Sequence, residues 1–194
     1  IVASLHISGR GQILLYESNN LYDWDYKGVL VRSEKGKGEV WECPDLFKLQ
    51  GKDVLIASPQ FFPRDGDRYW NVYSSVYLIG QCDLGKCEYN YQEIEEVDYG
   101  LDFYAPQTLM DEKGRRILIA WMQMWHREIP TNIKNHYWAN AMTLPRELKI
   151  KNGKLYQYPI EEMKSYRTNP VFYKDVTITG TLGLEGIKGQ CIEL

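Results

Sequence analysis

The chain has 194 residues, of which 44% are hydrophobic and 25% are charged, and its formal net charge is -3. This length can bury a sizeable core, and this composition excludes a disordered chain. No basic excess supports nucleic-acid binding by charge alone, and the longest apolar stretch, Ile117–Met122, is too short to cross a bilayer. Aromatic residues reach 13%, and aromatic rings suit both strand faces and sugar-binding clefts.

Short runs rich in β-branched and aromatic residues alternate with turn residues along most of the chain. In chain order the main runs are QILLYES, VLIAS, WNVYSSVYLIG, RRILIAWM and KLYQYP. Each run follows a short cluster that contains glycine, as is typical of turns between antiparallel strands. The pattern predicts an all-β fold.

One strand–turn–strand unit occurs twice. The segment 43–57, CPDLFKLQGKDVLIA, aligns with 105–120, APQTLMDEKGRRILIA, if a small gap is placed at the turn. The prolines of the two copies, Pro44 and Pro106, are 62 positions apart. A repeat at this scale favours the blades of a β-propeller over a sandwich, which needs no such repetition.

A helix is predicted late in the chain, at 160–167. Pro159 suits the position before its first turn, Glu161 and Glu162 favour the helix dipole, and Pro170 closes the segment. The residues after Pro170 again have the pattern of strands with glycine turns, but they are too few for an independent sandwich.

The densest group of chemically active side chains is Trp41-Glu42-Cys43-Pro44-Asp45. Its two carboxyl groups lie between an indole and a rigid proline, and such surroundings disfavour a charged carboxylate. A carboxylic acid that stays protonated is what protonation of a glycosidic oxygen requires. The alternative is the beginning of a strand, with Glu42 and Asp45 solvated and Trp41 in the core.

Two further groups are candidates for sugar binding. In the segment 98–107, DYGLDFYAPQ, carboxylates and phenols could bind sugar hydroxyls while rings stack on the sugar; the alternative is an acidic turn before an aromatic strand. Trp121 and Trp125, four positions apart, would share one face of a strand, so periodicity does not separate a core role from a cleft role. His126 is interpreted as a loop histidine.

The cysteines and histidines predict neither a metal site nor a cofactor. The four cysteines form no CxxC pair, and with three histidines no zinc spacing appears. Cys82 and Cys87 bracket a predicted turn, so they could face each other across two strands, but reduced thiols are expected.

Five motifs occur in an order that resembles glycoside hydrolase family 32, the β-fructofuranosidases, which include invertases, sucrose-6-phosphate hydrolases and fructan hydrolases. The resemblance extends roughly from Gln12 to Arg167. The motifs are WECPDLF at 41–47, NVYSSVYLIG at 71–80, DYGLDFYAPQT at 98–108, GRRILIAWM at 114–122 and MTLPREL at 142–148.

The resemblance implies a five-bladed β-propeller followed by a β-sandwich. Residues 1–159 would form about the last three blades, 160–170 a short helical linker, and 171–194 the first strands of a truncated sandwich. The family resembles other retaining glycosidases in using an aspartate nucleophile and a glutamate acid/base, so no metal or cofactor is implied.

The family's motifs also imply roles for four residues of this chain. The glutamate of the ECP motif is the acid/base, and here it is Glu42. Asp102 and Tyr104 resemble residues of the sugar pocket, and Trp121 resembles an aromatic residue that lines it.

The sequence departs from the family in two places. The family's nucleophile lies in an N-D-P-N-G motif and a second aspartate lies in an R-D-P motif, and neither string occurs here. Because the chain begins with Ile1 in a strand-like run, both motifs are expected upstream of it. The fragment alone is therefore expected to be inactive, and its exposed propeller edge predicts self-association.

The expected partner is a sugar, either sucrose, sucrose 6-phosphate or a fructan, with no nucleic acid and no membrane. The resemblance to bacterial sucrose-phosphate hydrolases predicts a cytoplasmic location. An alternative function is a non-catalytic propeller module that binds fructosides. An inverting glycosidase acting on arabinan or xylan is disfavoured by the intact WECPDLF and DFYAPQT strings.

Overall fold

The structure is a computed structural model that describes residues 2–193, with the backbone alone for residues 2–7. The described residues form eleven strands in three antiparallel sheets, which confirms the predicted all-β fold. No helix within this described part is long and apolar enough to span a membrane. The strands are β1 (Val2–Ile7), β2 (Arg10–Glu17), β3 (Asp25–Arg32), β4 (Trp41–Leu49), β5 (Lys52–Pro59), β6 (Val76–Asp83), β7 (Glu88–Glu96), β8 (Tyr104–Met110), β9 (Arg116–Trp121), β10 (Arg146–Lys151) and β11 (Lys154–Pro159).

Each sheet is built from strands that follow one another in the chain. Strands β1 to β3 form the first sheet, β4 to β7 the second, and β8 to β11 the third. Asn152 and Gly153 join β10 to β11, and their φ angles are 50° and 75°. Two successive positive φ angles match the twist of a two-residue hairpin turn, and Asn-Gly is the residue pair that adopts them most readily.

The repeated unit of the sequence forms the first two strands of the second and third sheets, so the predicted repeat is a structural repeat. In both copies the register of the first strand shifts at the same place. The shift lies between Glu42 and Asp45 in β4 and between Tyr104 and Gln107 in β8. The residue directly after the first member of each pair has a positive φ, 48° and 50°. Such a bulge bends the strand and re-aims the side chains at its start.

Strand β5 is covered on both faces. Leu55 and Ala57 belong to a core cluster shared with residues of β2 and β3, such as Ile13. Val54 and Ile56 belong to a second cluster shared with residues of the third sheet. A continuous apolar run is what a strand with two buried faces requires, and the VLIA string supplies it.

Two long loops leave the same end of the second and third sheets. Residues 60–75 connect β5 to β6, and residues 122–145, with the short helix α1 (Pro130–Ile133), connect β9 to β10. In each sheet this is the end at which the first strand begins, because Trp41 pairs with Pro59 and Tyr104 pairs with Trp121. Functional side chains are disproportionately found on loops held by rigid sheets, so a functional site is expected at this end of the fold.

Residues 161–193 belong to a separate compact unit. The helix predicted at 160–167 is a 3-10 helix, Glu161–Tyr166, with the expected acidic residues in its first turn. Strands were expected over 171–194, but in the described part of this range, 171–193, the structure contains none. A strand needs hydrogen-bonded partners and a buried face, and nearly all side chains of this segment are exposed.

Candidate active site

Glu42 and Tyr104 meet at the end of the sheets from which the long loops leave. The Tyr104 hydroxyl donates a hydrogen bond of 2.7 Å to Oε2 of Glu42 and lies 3.1 Å from the carbonyl oxygen of Ser58. Burial, reinforced by the bond to Glu42, raises the pKa of Tyr104 far above its ordinary value. The phenol therefore stays protonated near neutral pH and can donate a hydrogen bond to Glu42.

The indole of Trp41 fixes the backbone directly before Glu42. It is fully buried, and its Nε1 donates a hydrogen bond of 2.9 Å to the carbonyl oxygen of Lys37. A Cβ atom at Gly11 would lie 2.3 Å from the indole, and one at Gly38 would lie 2.9 Å from Nε1. The ring thus occupies space that only glycine leaves open, which anchors the beginning of β4.

The second carboxylate of the WECPDLF motif has a structural contact. Oδ2 of Asp45 accepts hydrogen bonds from the backbone N–H of Thr108 at 2.8 Å and from the Thr108 hydroxyl at 2.6 Å. These bonds join the first strand of the second sheet to that of the third. Neither Glu42 nor Asp45 is fully solvated, so the alternative of two solvated carboxylates is wrong, although Trp41 does lie in the core.

An aromatic cluster extends from Tyr104 to the two long loops. The ring of Tyr73 is buried, and its centroid lies 6.0 Å from that of Tyr104 and 5.6 Å from that of Phe61. The Tyr73 hydroxyl lies 2.9 Å from Nε2 of His126 on the other long loop. Sequence reasoning missed this contact, because no periodicity connects two loop residues that are 53 positions apart.

Asp102 forms an ion pair with Arg127 of the 122–145 loop. Its Oδ1 lies 2.5 Å from Nη1 of Arg127, and both side chains are partly exposed. Asp98, at the start of the same acidic segment, pairs with Arg146 at 2.6 Å. The structure therefore gives each carboxylate of this segment an arginine partner, and Arg127 itself is held in place by Asp102.

Trp121 ends β9 and lies across from Tyr104 in the strand ladder. Its Nε1 donates a hydrogen bond of 3.0 Å to Oδ1 of Asn140. The expectation that Trp121 and Trp125 share a strand face is wrong, because the strand ends at Trp121. The loop instead folds Trp125 back, so that the two indoles meet edge to face with centroids 5.1 Å apart. Both rings are partly exposed, which suits the edge of a sugar pocket.

The four cysteines are free thiols, as expected. Cys82 pairs in register with Tyr89, so it does not face Cys87 across the hairpin. Burial raises the pKa of Cys43, and the neighbouring Glu42 adds to the effect, so this thiol is held in its unreactive protonated form. Among residues 8–193, whose side chains the structure describes, no three His, Cys, Asp or Glu side chains are grouped closely enough to hold a metal ion.

Successive sheets, each built from antiparallel strands that follow one another in the chain, are the architecture of the blades of a β-propeller. Comparison with known proteins identifies the kind of propeller. The family model described as "Glycosyl hydrolases family 32 N-terminal domain" matches residues 1–159. The chain therefore belongs to glycosyl hydrolases family 32.

Individual relatives agree with this assignment. The chain is 46% identical to a sucrose-6-phosphate hydrolase of Bacillus subtilis over 165 residues, which are 82% of this chain and 34% of the relative. A sucrose-6-phosphate hydrolase of Escherichia coli is 40% identical over 194 residues, 100% of this chain and 40% of that protein. The chain thus spans little more than a third of the length of these relatives.

Solved structures show the same fold. A GH32 beta-fructofuranosidase of Bombyx mori has a TM-score of 0.83 and 37% identity, with coverage of 88% of this chain and 36% of its own. A mutant of that protein was solved in complex with sucrose. A sucrose-6-phosphate hydrolase of Lactobacillus gasseri has a TM-score of 0.75 and 31% identity, with coverage of 84% and 33%.

Proposed function

We propose that this chain is the acid/base-bearing part of a retaining glycoside hydrolase that cleaves β-fructofuranosides, with Glu42 as the acid/base. The observation that carries the proposal is the contact of Glu42 with the protonated Tyr104 phenol at the end of the sheets from which the two long loops leave. Relatives named sucrose-6-phosphate hydrolase and beta-fructofuranosidase supply the substrate class, sucrose or sucrose 6-phosphate.

In this mechanism Glu42 acts twice. It first donates a proton to the departing glucosyl oxygen, while an aspartate attacks the fructosyl carbon and forms a covalent fructosyl–enzyme. The Glu42 carboxylate then removes a proton from water, which releases fructose and regenerates the aspartate. Between the two steps the Tyr104 hydroxyl donates a hydrogen bond to Oε2 of Glu42 and so holds this side chain in place.

The remaining roles follow the polar and aromatic surroundings of Glu42. Asp102 and Tyr104 belong to the sugar pocket, and Trp121 offers a partly exposed indole face for stacking on a sugar ring. Arg127 and Lys134 are the cations of the 122–145 loop that a phosphorylated substrate would use. Arg127 is already oriented by Asp102, so it is the stronger candidate for a phosphate contact.

The N-D-P-N-G motif, in which the family's aspartate nucleophile lies, does not occur in these 194 residues, and the R-D-P motif of its second aspartate is also missing from them. The chain by itself is therefore proposed to be inactive, since Glu42 cannot replace covalent catalysis.

The domains of the chain are proposed to be about the last three blades of a five-bladed propeller at 1–159, a linker at 160–170 and the start of a sandwich at 171–194. A cytoplasmic location and self-association through the propeller edge belong to the same proposal.

The decisive experiment compares the chain with a fusion. The residues that precede the matched region in the Bacillus subtilis relative are joined to this chain, and fructose release from sucrose and from sucrose 6-phosphate is followed. The fusion is expected to hydrolyse at least one substrate, and the chain alone to hydrolyse neither. In the fusion, Glu42→Gln is expected to lower kcat by about a thousandfold, whereas Glu39→Gln, at an exposed nearby position, should leave it unchanged.

Three outcomes would contradict the proposal. Hydrolysis by the chain alone would refute the division of roles, and full activity of the Glu42→Gln fusion would remove Glu42 from the mechanism. A fusion that binds fructosides, as measured by calorimetry, without hydrolysing them would favour a non-catalytic fructoside-binding module.

A further inference from the structure

We propose that His126 is a positioning residue for Glu42, acting through Tyr73 and Tyr104; this rests on the function proposed above. The inference starts from the 2.9 Å contact between Nε2 of His126 and the Tyr73 hydroxyl. Within the described residues, His126 is the one side chain that hydrogen-bonds this hydroxyl. The imidazole and the phenol of Tyr73 therefore orient each other.

The second step runs from Tyr73 to Tyr104. The two rings pack edge to face, with centroids 6.0 Å apart and planes inclined by 64°. Tyr73, Tyr104 and Met124 form a small buried cluster of their own. Because buried side chains pack without free space, a tilt of Tyr73 must displace Tyr104.

The third step is the hydrogen bond from Tyr104 to Glu42, at 2.7 Å. A carboxylic acid that must transfer a proton to a glycosidic oxygen depends on its orientation, and a misplacement of about 1 Å can cost about a hundredfold in rate. The series His126, Tyr73, Tyr104 and Glu42 thus connects the 122–145 loop to the reacting group without any contact between His126 and Glu42.

A ring contact adds to the hydrogen bond between His126 and Tyr73. The ring of His126 also lies against that of Tyr73, with centroids 5.7 Å apart and planes inclined by 32°. Hydrogen bond and ring contact together hold an otherwise exposed imidazole in one orientation.

The test uses the active fusion described above, with His126→Ala, Tyr73→Phe and the double variant. Each single variant is expected to lower kcat about tenfold while KM changes less than twofold, because the substrate contacts remain and the proton transfer is misaligned. The double variant is expected to be no slower than the slower single variant, since both substitutions break the same contact, that between His126 and Tyr73.

Two controls separate positioning from a general structural effect. His126→Gln places an amide near the former Nε2 position and is expected to recover most of kcat. His136→Ala removes an exposed imidazole from the same loop and should leave kcat and KM unchanged. A change confined to KM, or a double variant whose losses multiply, would overturn the inference. If instead Glu42→Gln were harmless, the proposed function would fail and not the connection alone.

A second measurement needs only the chain itself, so this test of the inference can be made even if the fusion does not fold. In NMR spectra, Tyr73→Phe is expected to shift the imidazole resonances of His126, and His126→Ala to shift the ring resonances of Tyr104. Tyr89→Phe, in a different buried cluster, should shift neither. Tyr104 resonances that are identical with and without the His126 imidazole would overturn the inference.

Discussion

Glu42 and Tyr104 occupy equivalent positions in two successive sheets, and their side chains are hydrogen-bonded to each other at 2.7 Å. Each is the residue before a bulge in the first strand of its sheet, and they are 62 positions apart. One repeat unit thus supplies the carboxyl group and the next supplies the phenol that binds it. The site is built from a duplicated backbone geometry that carries different side chains.

The first prediction concerns the hydroxyl group of Tyr104. In the active fusion, Tyr104→Phe is expected to lower kcat by about tenfold to a hundredfold, because a hydrogen bond to a charged group contributes about 1.5–3 kcal/mol. Initial rates of fructose release over a range of substrate concentrations measure the effect. Tyr89→Phe is the matched control, since its hydroxyl is also buried but binds the carbonyl oxygens of Asp53 and Leu78. Equal losses in both variants would contradict a specific role for Tyr104.

The second prediction concerns the anchor of β4, the strand that carries Glu42. Gly11→Ala is expected to destabilise the chain by about 1–3 kcal/mol, because the added methyl group would overlap the buried indole of Trp41. Chemical denaturation followed by tryptophan fluorescence measures the free energy of unfolding. Gly85→Ala adds the same methyl group in a hairpin turn where the nearest atom is 3.4 Å away, and should cost far less. Equal stability of the two variants would show that the indole can move aside.

The third prediction assigns Asp45 to the contact between sheets. Thr108→Val keeps the shape of the side chain but removes the hydroxyl that Asp45 accepts at 2.6 Å. A loss of about 1–2 kcal/mol in unfolding free energy is expected, because the partly buried carboxylate of Asp45 loses one of two donors. Thr181→Val, at an exposed position, serves as the control for hydroxyl removal. Unchanged stability of Thr108→Val would mean that water replaces the hydroxyl at no cost.

The fourth prediction concerns pH. Burial raises the pKa of Glu96 above its ordinary value of 4.5, although the N–H of Tyr69 and the charge of Arg68 oppose the shift. The folded state therefore holds this proton more tightly than the unfolded state. The contribution of Glu96 to stability is complete below about pH 4.5 and is lost as the pH rises through the raised folded-state pKa.

Glu96→Gln should remove this dependence. Relative to the original chain, the variant is expected to gain stability as the pH rises from 4.5 to 7. Urea denaturation at several pH values measures the difference between the two proteins, which cancels the titration of other groups. Glu93→Gln, at an exposed position of the same strand, should show no such trend. A difference that stays constant with pH would refute the prediction.

The sequence by itself determined the strands, their antiparallel order and the repeated unit. These features depend on neighbouring residues: alternation along a strand, an apolar run such as VLIA in β5, and a turn such as Asn152-Gly153. The ordered motifs also identified the family and singled out Glu42 and Tyr104. No strand appears in 171–193 despite a suitable pattern, because a strand forms only where partners and a buried face exist.

Tertiary structure alone decided which side chains meet. Asp45 and Glu42 look alike in sequence, yet Asp45 binds Thr108 and Glu42 binds Tyr104, contacts that span more than sixty residues. Tyr73 and His126 come together only because two loops leave the same end of adjacent sheets. Such contacts depend on bulges, loop paths and the packing of one sheet on the next, and no periodic pattern in the chain records them.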